Sequence, residues 1–324
     1  MTRHWMPLAL TAAALMTCGS ARAEEWPARP ITLVVPYAAG GPTDAIGRLF
    51  AQQMSEVLRR SIVVENVGGA GGMIGANRVA QAAPDGYQVL FIGSAMTYSQ
   101  HLYAKPLFNS VTDFTPVALL SRQPLVLIAR KDLPANGLQD FMLHVKASKT
   151  ANFGSAGTGS STHLGCVMLN VAMKAEVAHV PYRGVALAMP DLLGGRIDYM
   201  CNLIQDALPQ IQSGNVKAIA TLSRPRSPIL SAVPTADEQG LIGFDIADWY
   251  GLFLPKGTPP SIAQKLHATA IATLDDQSFR ERLQSLGVEV VAPERRSPEY
   301  LARFLKDEID KWATPIKAAG ITAQ

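Results

Sequence analysis

The sequence lacks several things, and each lack removes a class of function. Only three cysteines occur in 324 residues, and none of their separations matches a metal or redox motif. No G-x-x-x-x-G-K-[ST] phosphate loop and no G-x-S-x-G nucleophile elbow occurs. The glycine-rich stretches fail the dinucleotide spacing. A G-x-G-x-x-G started at Gly69 finds Ile74 in the third glycine place, and one started at Gly157 finds Thr162. The histidines at 101, 144, 163 and 179 give no H-x-x-x-H and no Cys/His cluster. Neither a metal nor a cofactor is therefore expected. No run or stripe of Lys and Arg stands out, which argues against nucleic acid. After residue 23 no apolar run approaches the ~20 residues that a membrane helix needs.

What is present begins with a leader. Arg3 and His4 precede an apolar run from Met6 to Met16, and small residues lead to Ala21-Arg22-Ala23. A basic n-region, a short h-region and an A-x-A site read as a secretory signal peptide over residues 1–23, cut after Ala23. A lipid anchor on Cys18 is the poorer reading, because threonine precedes that cysteine. Removing Arg3 and Arg22 from 29 Lys+Arg leaves 27 against 26 Asp+Glu, a net charge of +1. With 48% hydrophobic and 17% charged residues, the exported chain is globular and long enough for two cores. Cys166 and Cys201 remain, each in an apolar stretch. The residues favour two buried free thiols; a disulfide is the alternative in an oxidising compartment.

Ile31–Val35 reads as a buried strand, followed by a glycine turn and a helix from Pro42 to about Arg59. Ile46, Leu49, Phe50, Met54, Val57 and Leu58 fall at helical spacing on one face of that helix. Pro42 suits the first helical position, Gly41 the N-cap, and Asp44 the first turn. A strand over 62–65, a glycine-rich turn over 67–75, a helix over 76–82 and a strand over 88–92 follow. This rhythm predicts a mainly parallel sheet with helices on both faces.

The pattern restarts with a strand ending at Phe153, a loop over 154–161 and a helix whose buried face carries Leu164, Val167, Met168 and Val171. Strands over 179–182 and 197–203, and helices over 185–193, 262–273 and 298–319, complete the reading. Two apolar stretches, 116–130 and 249–254, are the places where the chain crosses between lobes. The expected architecture is α/β with two lobes and two hinge crossings. Lobe 1 takes residues 24–122 and 249–324, and lobe 2 takes 123–248.

Two loops are built alike. Gly40-Gly41-Pro42-Thr43-Asp44 and Ser155–Ser161 each follow a strand, offer backbone N–H groups and open a helix. An anion between them would meet two helix N-termini. One such end is worth about 0.3–2 kcal/mol, and each hydrogen bond to a charged group roughly 1.5–3 kcal/mol. Micromolar affinity needs about 8 kcal/mol, so two loops and a closing cleft suffice where one does not.

Six segments then recur in order: V-P-Y-A-A-G-G-P-T-D (35–44), E-N-V-G-G-A-G-G-M-I-G-A (65–76), P-D-G-Y (84–87), G-S-A-G-T-G-S-S-T-H-L (154–164), H-V-P-Y-R-G (179–184) and Leu192-Leu193-Gly194-Gly195. Trp249-Tyr250-Gly251 and Gly257-Thr258-Pro259 add two later cues. Together they resemble the Bug or TctC family, the periplasmic solute receptors of tripartite tricarboxylate transporters. The resemblance spans essentially the whole mature chain. It implies the two-lobed, type II-like periplasmic-binding-protein fold, no enzymatic activity, a monomer, and a small organic carboxylate as ligand. It also implies delivery to inner-membrane permease subunits. A sensor signalling to a membrane kinase needs the same cleft. An exported α/β hydrolase using Ser160 or Ser161 with His163 is the remote alternative.

The resemblance implies that the loop at Tyr37, Ala39, Gly40, Gly41, Thr43 and Asp44 grips one carboxylate together with Ser155, Thr158, Gly159, Ser160, Ser161 and His163. Asp44 is an odd residue to meet an anion and is also read as orienting its loop. For His163, packing or a cap contact is the leading reading. Arg183 is either a clamp for a second carboxylate or a surface ion-pair former. Ser94, Asn202 and Asp206 follow strand ends and are candidates for the ligand's far end. Tyr37 is read as an aromatic wall and Trp249 as core. Gly47 stands where the family leads one to expect alanine, which loosens the helix slightly.

Overall fold

The computed structural model describes residues 26–318 and 320–322; the signal-peptide reading over 1–23 lies outside the described residues. Strand β1 (Ile31–Val35) leads into α1 (Pro42–Leu58), β2 (Ile62–Asn66), α2 (Met73–Ala80), β3 (Gln88–Gly93) and α3 (Ala95–Leu102). A long strand, β4 (Phe114–Arg130), follows. Then come α4 (Leu138–Ala147), β5 (Asn152–Ser155), α5 (Ser161–Met173), β6 (Ala178–Pro181), α6 (Val185–Leu193), β7 (Tyr199–Leu203), α7 (Ile204–Gln212) and β8 (Val216–Thr221). The chain returns through β9 (Ala247–Pro255) to α8 (Pro260–Asp275), α9 (Gln277–Ser285), β10 (Glu289–Val290) and α10 (Pro298–Ala318).

Strand β4 changes partners along its length. From Phe114 to Pro124 it pairs with β9, and from Leu125 to Arg130 with β7 and β8. The strands run in the order β2-β1-β3-β9-β4-β7-β5-β6. The parallel pairings β1/β2, β1/β3, β5/β6 and β5/β7 belong to the β-α-β units. Every antiparallel pairing involves β4 or β9, the two crossing strands, because a chain that leaves a lobe and returns must run in both directions.

Separate cores lie on either side of the crossing. Phe50, Phe91, Tyr250 and Phe279 pack under α1, α8 and α9, while Phe141, Phe153, Tyr199 and Leu169 pack between α4 and α5. A further cluster joins the two halves. Tyr98, Leu102, Trp312 and Ile316 from α3 and α10 enclose Leu164 of α5 and Ile246, with Met168 and Phe244 at the edge.

Three local expectations are corrected. Cys166 and Cys201 form a disulfide, with Cα atoms 5.3 Å apart; they are not free thiols. The bond turns α5 so that Cys166, Leu169 and Met173 face β7, and Val171 is left 45% exposed. Val57 of α1 is likewise 40% exposed, outside the buried face formed by Ile46, Phe50 and Met54.

Gly47 is a packing device. A Cβ there would lie 2.9 Å from Val35 Cγ2 and 3.5 Å from Phe91 Cδ1, so glycine lets α1 settle onto β1 and β3. Alanine adds about 1 kcal/mol of helix propensity, but overpacking typically costs about 1–3 kcal/mol. Gly47→Ala is expected to lower stability by about 1 kcal/mol, read as a lower urea midpoint; a raised midpoint would contradict this.

Candidate functional site

After β1 the chain turns through Tyr37, Ala38, Ala39 and Gly40, where Gly40 takes the left-handed φ of 79° that favours glycine. Ala38, Ala39 and Gly40 are exposed. Gly41 is the N-cap of α1, with proline at its N-terminus and no side-chain cap. The first-turn amides of Thr43 and Asp44 are thus open to an acceptor from outside. The Thr43 hydroxyl lies 2.9 Å from the Tyr250 hydroxyl, which ties this turn to β9.

Asp44 faces inward. Its carboxylate accepts from Gly40 N–H at 2.9 Å, Arg48 Nε at 3.0 Å and Asn66 Nδ2 at 2.9 Å. Asn66 Nδ2 also donates to the Tyr37 carbonyl at 3.1 Å. Burial raises the Asp44 pKa, but the donors from Arg48, Gly40 and Asn66 outweigh it and hold the group below the usual carboxylate range. Asp44 therefore shapes the loop. A second glycine turn supports it, with Gly68 behind Ala38 and Gly72 against the Tyr37 hydroxyl. Tyr37 is half-buried, and burial and the nearby Asp248 raise its phenol pKa.

The second loop closes on itself. Ser155 is fully enclosed, its Oγ 2.7 Å from His179 Nε2 and accepting from Gly157 N–H at 3.1 Å. Ser160 Oγ donates to the Gly157 carbonyl at 2.7 Å and caps α5 by accepting from His163 N–H at 3.2 Å. Thr162 Oγ1 accepts from Ala156 N–H at 2.9 Å. Thr158 projects into solvent, and Ser161 and Thr162 begin the helix with their amides forward.

His163 is buried. Its Nδ1 accepts from Gly159 N–H at 3.2 Å, and its ring stacks on His179 at 4.0 Å and on Phe153 at 6.1 Å. Burial pushes its pKa down to about 3, with His179 adding to the shift, and burial lowers His179 to about 4. Both imidazoles are neutral. No serine–histidine nucleophile is assembled here: Ser160 meets the backbone of His163, and Ser155 is sealed inside.

The two halves meet at these loops. A Cβ on Gly71 would sit 3.6 Å from the Thr158 carbonyl, and one on Gly159 3.0 Å from Leu102 Cδ1. The side chains of Asp44, Ser155, Ser160 and His163 thus have partners inside their own loops, and the Thr43 hydroxyl has one in Tyr250. Arg183 is exposed, one residue past Tyr182, whose carbonyl lies near Gly157. Ser94 is buried, and both its N–H (3.0 Å) and its Oγ donate to Asp248 Oδ1. Its hydroxyl is engaged as well.

Asn202 lies within β7, one residue before its end, while Asp206 follows the strand in the first turn of α7. Asn202 is fully enclosed and neither amide atom has a partner; Asp206 Oδ2 and both amide atoms of Gln205 are also buried without partners. Burial raises Asp206 to about 7. That rise is worth roughly 4 kcal/mol at about 1.36 kcal/mol per unit. The α7 dipole favours the charged form by only about 0.3–1 kcal/mol, so burial prevails. Asp248 and Gln205 escaped sequence reading. An Asp just before Trp249-Tyr250-Gly251 at a crossing strand was the only signal for the first; nothing marked the second. Among the described residues no group of three His, Cys, Asp or Glu side chains is placed to hold a metal, and no helix is long and apolar enough to cross a membrane.

The fold is that of the α/β periplasmic binding proteins. The periplasmic binding protein BugD superposes with a TM-score of 0.86 at 40% identity, covering 92% of this chain and 100% of that one. MatC from Rhodopseudomonas palustris, solved with bound malate, gives 0.84 at 40% identity over 90% and 100% of the two chains. Rpa4515 from R. palustris, solved with adipate, gives 0.86 at 32% identity over 92% and 99%. The profile of the tripartite tricarboxylate transporter family receptor, TctC, matches residues 46–321. The chain belongs to this family of solute receptors, which are binding proteins and not enzymes.

Proposed function

We propose that the protein is a periplasmic receptor that reversibly binds a small carboxylate between its lobes and delivers it to an inner-membrane permease of the tripartite tricarboxylate type. The observation that carries this is the N-terminus of α1, which has no side-chain cap; in this reading it faces the first turn of α5 across the cleft. Two helix ends with free amides favour an anion, and Arg48 pairs with Asp44 and offsets the charge its carboxylate brings to this turn. In this reading the amides of Ala39, Thr43, Asp44, Ser161 and Thr162 take one carboxylate, with Thr43, Thr158 and Ser161 hydroxyls beside it. The lobes are residues 24–122 with 249–324, and 123–248, and they hinge where β4 and β9 cross. Malate and adipate, bound by two relatives, are reasonable first ligands.

Isothermal titration with mono-, di- and tricarboxylates and acidic amino acids tests this. Micromolar or tighter binding of at least one carboxylate is expected. Binding of an uncharged solute with failure of every carboxylate would overturn the reading.

A further inference from the structure

Where β7 runs into α7, the chain buries more polar atoms than it satisfies. Besides Asn202, Gln205 and Asp206, the buried hydroxyls of Thr221, Ser223 and Ser227 have no partners. Asn202 and Thr221 both stand opposite Val126, on the strands flanking β4, so their side chains leave the same face of the sheet. Native proteins pair about nine-tenths of buried polar groups. Such a concentration of orphans in one corner marks a place shaped for a polar guest.

The corner lies toward the α1 turn. Burial, and in smaller part the charges of Asp248 and Asp206, raise the Tyr250 phenol pKa, and Tyr250 meets Thr43 in the first turn of α1. The charged groups on the elements around α7 are engaged elsewhere. Lys217 of β8 donates to the carbonyls of Leu133 and Ala135. Arg122 of β4 binds Asp245 and the Arg224 carbonyl, and Arg130 at the far end of β4 binds Asp132 and Asp198. Asp248 of β9 is held by Ser94 and the Trp249 amide. Glu289 of β10, near the Gly287 turn that touches Ile204, lies by Arg122 and Asp245. Among the described residues no cation acts on Asp206, and Tyr250 is a titratable group within its electrostatic reach.

A second carboxylate entering this corner finds amides, hydroxyls and one carboxyl group. Two carboxylates at hydrogen-bonding distance repel unless one holds a proton. We propose that Asn202, Gln205 and Asp206 form the distal subsite for a dicarboxylate, with Asp206 bound as the neutral acid whose O–H donates to the ligand's second carboxylate. This deepens the receptor reading above and rests on it. The proton comes from solvent and stays on Asp206, so capture of a diacid takes up a proton. Burial, which already lifts this group to about 7, keeps that uptake to about half a proton at pH 7.

The test is calorimetric titration from pH 6.0 to 8.5 with succinate, malate, glutarate and adipate, each beside the monocarboxylate of equal length, and with aspartate and glutamate. For a diacid that binds, affinity is expected to fall about 30-fold across this range, as for a group titrating near 7 that must be protonated. The monocarboxylate binds more weakly, with a flat profile. Asp206→Asn keeps a donor without a titrating proton, so its diacid profile is flat and it binds more tightly than wild type at pH 8.5. In wild type, titration in two buffers of different ionisation heat gives an uptake of about half a proton per diacid at pH 7, and this readout does not depend on the variant folding.

A flat wild-type diacid profile with no proton uptake overturns the assignment. So does affinity that rises with pH, is greatest for aspartate or glutamate and is lost in Asp206→Asn, since that pattern means an ionised Asp206 holding an ammonium. If no carboxylate binds at any pH, the receptor reading itself falls, which a flat profile does not bring about.

Discussion

Removing the Cys166–Cys201 bond is expected to lower stability by about 4 kcal/mol. The bond closes a sequence separation of 35 residues, and chain-entropy arguments give about 3 kcal/mol for a 15-residue loop and about 4.7 for a 100-residue one. The bond also touches both ends of the proposed site. Cys166 is on α5, whose first turn belongs to the proposed carboxylate grip, and Cys201 immediately precedes Asn202 on β7. Cys166→Ala with Cys201→Ala is the suitable variant, because serine would put two hydroxyls into enclosed positions. Its urea midpoint should drop, and its carboxylate affinity with it. Reductant should reproduce the drop in wild type and leave the double variant unchanged. A wild type indifferent to reductant that yields two free thiols on unfolding would remove the bond from the account.

The outline of the fold was legible because local chemistry dictates it. Pro42 at the start of α1, the glycine turn before it and the restart of the pattern at Phe153 fix where strands become helices, and the observed α1 and α6 begin where the spacing predicts. What was not legible depends on contacts between distant segments. Nothing in the spacing of Cys166 and Cys201 reveals that α5 packs on β7, and without that bond the face of α5 was assigned with Val171 inward. Gly47 reads as a weak helix residue until Val35 and Phe91 are seen beneath it.

The site divides in the same way. The two glycine-rich loops were recognisable, since only a strand–turn–helix with small residues offers free amides. Which side chains turn outward was not. Asp44, Ser155, Ser160 and His163 each have a partner in or beside their own loop that spacing does not reveal: Arg48 and Asn66, His179, Gly157 and Gly159. Gln205 and Asp248 acquire meaning only in the folded chain, the one as a buried amide without partners on α7 and the other as the acceptor for Ser94.

The second large effect is acid destabilisation by the stacked histidines. In the folded protein His163 titrates near 3 and His179 near 4, against about 6.5 in an unfolded chain. Between those values the unfolded state binds more protons, so stability rises with pH across the window. It is fully present above about 6.5 and is lost as pH falls toward the folded values. From pH 7 to pH 5 the loss from His163 is about 2 kcal/mol; His179, which is partly exposed, adds less. His163→Phe preserves a stacking ring and cannot titrate. It gives up the acceptor for Gly159 N–H, so it should be about 1–2 kcal/mol less stable at pH 7. Its acid limb should be flatter, meeting the wild-type curve near pH 5 in urea denaturation at pH 7, 6 and 5. Parallel limbs would show that His163 is not the titrating group. In the folded protein His163 stays neutral until about pH 3, so its acid effect on binding runs through stability, whereas deprotonating Asp206, near 7, would weaken the proposed distal subsite directly.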